Sequence, residues 1–183
     1  ELFRIIALQF WEELVDNTRV FLAKTERWEK PEKKAGVYGN GWYEQGKKYM
    51  YAVFSEAVKE NVHEWRKRVK DLWYATRILG NIWPEMMSPL DILLGKLSDA
   101  LGDANDLFLL KEKIISNQSK LKDDQHTREL INFIDRRIMD LLREARSIGR
   151  KVYSEDSKYF VGRMQNYFEI WRSEYTPLKY FSV

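Results

Sequence analysis

LINFIDRRIMDLLREARSIGRKV, residues 130–152, is the stretch that decides the fold class. Its apolar positions Leu130, Ile134, Ile138, Leu141, Ala145, Ile148 and Val152 advance in steps of three and four. That step places them in one stripe on a helix, the seam by which a bundle helix packs. Asp123 and Asp124 stand ahead of it, where a helix dipole favours anions, so the helix is expected to open there. Working outward, the same periodicity predicts helices from Leu2 to Trp28, Gly41 to Val58 and Lys59 to Leu79. A further helix is expected from Ser88 as N-cap and Pro89 at the first helical position through Leu90, Leu94, Leu97, Leu101 and Ile114. A last one is expected from a Ser154 cap to Arg172. Lys30 to Gly41 reads as a polar, glycine-bearing loop. Pro31, Pro84, Pro89 and Pro177 are expected between helices or at their edges, because helix interiors tolerate proline poorly. No useful strand-like alternation appears, so the fold is expected to be an all-α, antiparallel helical bundle.

The chain has 183 residues, enough for one domain with a real core. There is no cysteine, which removes disulfides, thiolate metal sites and cysteine nucleophiles. The two histidines, His63 and His126, are far apart, which argues against a histidine metal site. No apolar run approaches the roughly 20 residues that span a bilayer, and no signal peptide is visible. A cytoplasmic protein without membrane partners is therefore expected. The chain opens on Glu1 inside an apolar-periodic pattern, as expected of a piece of a longer protein.

Charge is 31 Lys+Arg against 28 Asp+Glu, a net of +3, but it is unevenly spread. From Lys47 to Lys70 there are seven Lys/Arg and three Glu, a surplus of four that exceeds the net charge of the whole chain. His63, Arg66, Lys67 and Lys70 stand at i, i+3, i+4 and i+7, and Tyr74 and Arg77 continue the same face. Val62, Trp65, Val69, Leu72, Trp73 and Thr76 fall on a separate apolar arc that faces the core. Stacked like charges repel by a few tenths of a kcal/mol per pair, a cost that an anion on the stripe would offset. Arg and Lys offer forked and point-like donors to phosphate oxygens. The plainer alternative is a solvated helix face. Tyr43, Lys47 and Tyr51 recur at spacing four with Lys48 beside them; packing is the plainer role for the two tyrosines.

His63 to Tyr74 (HEWRKRVKDLWY), followed about 30 residues later by Leu101 to Leu107 (LGDANDL) and preceded by Tyr43 to Lys48 (YEQGKK), resembles the conserved histidine α-helical domain family, CHAD. The resemblance runs from about Gly36 to the end and is to the C-terminal of the family's two four-helix repeats. It divides the chain into residues 1–35, a helix and linker that form the tail of a preceding repeat, and residues 36–183, the repeat itself. It implies binding of inorganic polyphosphate in a basic groove and residence on polyphosphate granules. Carried over by position, it implies anion contacts from Lys47, Lys48, His63, Arg66, Lys67 and Lys70, and more loosely from Arg150 and Lys151; Arg77 is added to the expected contacts by its place on the same helix face. The first repeat's own histidine-basic helix is missing here. The expectation is a fragment of a two-repeat domain, or a homodimer that rebuilds the pore.

Asp103 and Asp106 lie one turn apart and are expected as ion-pair partners that orient Arg66 or Lys70. A metal or acid-base pair is disfavoured without a nucleophile, glycine-rich phosphate loop or histidine cluster. The expected function is therefore noncatalytic polyphosphate binding, with no metal and no cofactor. The alternatives are a generic polyanion or RNA-backbone binder stacking bases on Trp65, Trp73 and Tyr74, and a helical adaptor for an acidic protein.

Overall fold

A computed structural model describes residues 41–80, 82–117 and 125–175. The expected helix from Leu2 to Trp28, the loop up to residue 40, the 1–35 unit, Asp123-Asp124 and Pro177 lie outside these residues. The described chain is all helical: α1 Trp42–Ser55, α2 Lys59–Leu79, α3 Pro84–Ser116, α4 Gln125–Val152 and α5 Ser157–Tyr175. No strand occurs among the described residues.

The first four helices pack each on its chain neighbour, α1 on α2, α2 on α3 and α3 on α4, and α1 also reaches α4. Cross-contacts give the directions. Lys59 meets Glu112 at 2.6 Å and the Trp73 indole N–H donates to Asp91 at 2.8 Å, so α2 and α3 run antiparallel. Tyr43 reaches the Val152 carbonyl while the Arg146 guanidinium stands 4.6 Å from the Phe54 ring, so α1 and α4 are antiparallel too. The result is an up-and-down bundle. The seam read from residues 130–152 is buried from Ile134 to Val152, whereas Leu130 is exposed.

Two helix starts differ from expectation. α3 begins at Pro84, which takes the first helical position, and Pro89 lies inside the helix. Trp83 provides the reason: its carbonyl accepts from the Met86 and Met87 amides, and its ring packs edge-on against Tyr167, 4.9 Å between centroids. α5 begins at Ser157 rather than after Ser154. The Asp156 carbonyl accepts from the Tyr159 and Phe160 amides, and Glu155 is taken up by contacts to α1 and Arg163.

A tight point in the core is Gly149 of α4. A Cβ there would stand 2.7 Å from the Trp65 ring and 2.9 Å from Met50 Sδ. Trp65 is fully buried and Met50 nearly so, which leaves neither side chain room to retreat. Gly149→Ala is therefore expected to destabilise the fold by about 1–2 kcal/mol, overpacking outweighing the better helix propensity of alanine. Urea unfolding measures this; an unchanged or raised midpoint would show that the Trp65 seat is looser than described.

Candidate functional site

α2 separates the two arcs as its spacing requires. Val62, Trp65 and Val69 have no exposed surface, and Leu72 and Thr76 are buried. Trp73 is only partly buried and packs against the core with its indole N–H tied to Asp91. On the other side His63, Lys67 and Arg77 are exposed, and Arg66 and Lys70 are half-buried.

The cations of this face are held in different ways. Lys67 pairs with Glu64 one turn back at 3.0 Å. Lys70 stands 5.8 Å from the Tyr74 ring and Arg77 5.7 Å from the Trp73 ring, the contacts of cations on aromatic faces. Arg66 lies against α3 at Gly102, with its Nε buried and without a hydrogen-bond acceptor. The ion pairs expected from Asp103 and Asp106 to Arg66 or Lys70 are not formed among the described residues. Both carboxylates are exposed on α3, and the residue that α3 turns to Arg66 is Gly102. No group of three or more His, Cys, Asp or Glu side chains that could hold a metal ion occurs among the described residues.

The remaining predicted cations belong to another pair of helices. The Lys47 ammonium donates to the Glu155 carbonyl at 3.0 Å, in the turn between α4 and α5. Arg150 and Lys151 occupy the last turn of α4, just ahead of that turn, and both are exposed. Lys48 is exposed and lies 5.8 Å from the Tyr49 ring. Tyr43 anchors the same junction: its hydroxyl lies 3.1 Å from the Val152 carbonyl and 3.2 Å from that of Glu155. Packing is thus the role of Tyr43, whereas Tyr51 is exposed. Gly46 admits the Tyr153 ring, whose hydroxyl would stand 2.2 Å from an added Cβ. Arg146, which the sequence reading does not single out, joins α4 to α1 through Phe54; nothing in local spacing marks that contact.

The profile of the CHAD domain matches residues 8–114, more than half of the chain. It takes in α1, α2 and most of α3, and with them the Tyr43, His63 and Leu101 motifs. It begins upstream of Gly36 and ends before Arg150 and Lys151. No curated protein and no solved structure matches the chain.

The Tyr43 junction has a pH signature. Burial, and after it the charge of Glu155, pushes the Tyr43 hydroxyl well above the ordinary phenol range, and burial does the same to Tyr153. The folded chain keeps both protonated where the unfolded chain releases them, above about pH 10. Their contribution is thus complete below pH 10 and is lost as pH rises through the folded values. Urea midpoints are expected to fall between pH 9 and pH 11, and to fall less in Tyr43→Phe, which also loses about 1 kcal/mol at pH 9. An equal fall in both proteins would contradict this assignment.

Proposed function

The chain belongs to the CHAD domain family, and from that premise we propose that the α2 face binds inorganic polyphosphate without chemical change to it. One observation carries the reading. Arg66, Lys70 and Arg77 make no ion pair among the described residues, although α3 beside them carries exposed Asp99, Asp103 and Asp106. Cations left unpaired on a helix that also stacks them at i, i+4 are placed to receive an external anion. His63 and Lys67 extend the face along the same helix. Lys67 is available because its bond to Glu64 is a surface pair worth at most about 1 kcal/mol. Lys47, Lys48, Arg150 and Lys151 supply a second set of contacts at the α1 and α4 ends. Localisation to polyphosphate granules belongs to the same proposal.

A linear polyanion is bound largely through release of its counterions, so affinity falls steeply with salt. RNA is the weaker reading. Trp65 is sealed in the core and Trp73 is tied to Asp91, which leaves Tyr74 as the exposed ring of the three and gives successive bases little to stack on.

The test is a competition titration of long-chain polyphosphate against RNA and heparin at two salt concentrations. Polyphosphate is expected to displace the others at lower phosphate concentration; equal displacement by all three would leave a generic polyanion patch. Replacing Lys67 and Lys70 together by Glu is expected to weaken binding by about two orders of magnitude with helical content retained. Unchanged affinity would place the binding face elsewhere.

A further inference from the structure

The seam between α2 and α3 contains a repeat. Arg66 and Trp73 are seven residues apart on α2, and Gly95 and Gly102 are seven apart on α3, met in the opposite chain direction. A Cβ at Gly102 would stand 3.2 Å from Arg66 Nε and 3.5 Å from Nη2, and one at Gly95 would stand 3.3 Å from Trp73 Cζ2. The shortest distance at each glycine, 3.2 Å at Gly102 and 3.3 Å at Gly95, is tighter than ordinary van der Waals contact. Each glycine therefore leaves a notch that a side chain of α2 fills. Glycine is a poor residue for a helix interior, so two of them in one helix call for a contact that needs the space.

The notches govern more than the two side chains that enter them. The Trp73 ring carries the Arg77 guanidinium at 5.7 Å and stacks on Tyr74, with planes 12° apart. The Lys70 ammonium in turn stands over Tyr74. Arg66 is held by shape rather than by a carboxylate, since its buried Nε has no acceptor and Asp103 and Asp106 do not pair with it.

We propose that Gly95 and Gly102 are positioning residues of the basic face. Gly102 sets the direction of Arg66 directly and leaves its terminal guanidinium nitrogens, Nη1 and Nη2, uncommitted for phosphate oxygens. Gly95 sets Arg77 and Lys70 through the Trp73–Tyr74 stack. The ligand rests on the polyphosphate reading; the geometry does not.

Calorimetric titration of the full chain with long-chain sodium polyphosphate tests the coupling. Gly102→Ala is expected to bind about tenfold more weakly. Its thermal midpoint should not fall, because alanine is the better helix former. In an Arg66→Ala background the same substitution should have no further effect. No loss in the first case, or a loss of equal size in the second, would overturn the proposal. A ligand-free measurement separates this from failure of the functional reading. If the unaltered chain does not bind polyphosphate, that reading falls, and nitrogen-15 NMR of arginine Nε–Hε groups decides the positioning. The Arg66 Nε–Hε signal should be resolved and slow to exchange, and should move to the free-arginine envelope in Gly102→Ala. A signal that exchanges like free arginine in the unaltered chain, or that Gly102→Ala leaves unchanged, would overturn it.

Discussion

Trp65 sits with no exposed surface where α1, α2 and α4 meet, its ring edge-on to Phe54 and pressed against Gly149. A side chain of that size can be buried at only one rotation of its helix. Seating Trp65 inward therefore sends Arg66, one residue on and about 100° around, towards α3, and sends Lys67 and His63 outward. The direction of the cationic face is a consequence of core packing. Glycine at position 149 is the condition for that packing, since a Cβ there would meet both Trp65 and Met50.

Electrostatics act on a frame set in this way. The net charge of +3 is an average of a basic α1–α2 segment and acids elsewhere. Where the two could cancel locally, they do so only in part. Lys67 finds Glu64 and Arg68 finds Asp71, both three residues away on the same helix, while the exposed aspartates of α3 leave Arg66 and Lys70 unpaired. Exposed pairs contribute little to stability, so the fold does not depend on them. The unpaired cations add repulsion that hydrophobic burial must outweigh.

What was legible in the sequence follows from how local the cause is. α2 could be bounded at Lys59 and Leu79 because its apolar periodicity is a local signal, and its two faces followed from spacing alone. The start of α3 was misread because Ser88-Pro89 and Trp83-Pro84 have similar local grammar. The choice between them is made by Tyr167, 84 residues away from Trp83. Ser154 was misread as a cap for the same reason, since Glu155 is engaged by Tyr43, Lys47 and Arg163, two of them in α1. The aspartates after Gly102 looked like partners for Arg66 because charge is visible in a sequence. The notch that receives Arg66 is an absence of atoms, and its meaning appears only once α2 lies across it.

The central claim, that α2 presents a set of cations without carboxylate partners to a phosphate polymer, is tested most directly by mapping backbone amide NMR shifts while short-chain polyphosphate is added. The account predicts that the largest changes fall between residues 63 and 77 of α2 and around Gly95 and Gly102 of α3, and that they diminish as salt is raised. Changes confined to other helices, or none at concentrations that saturate binding, would contradict it.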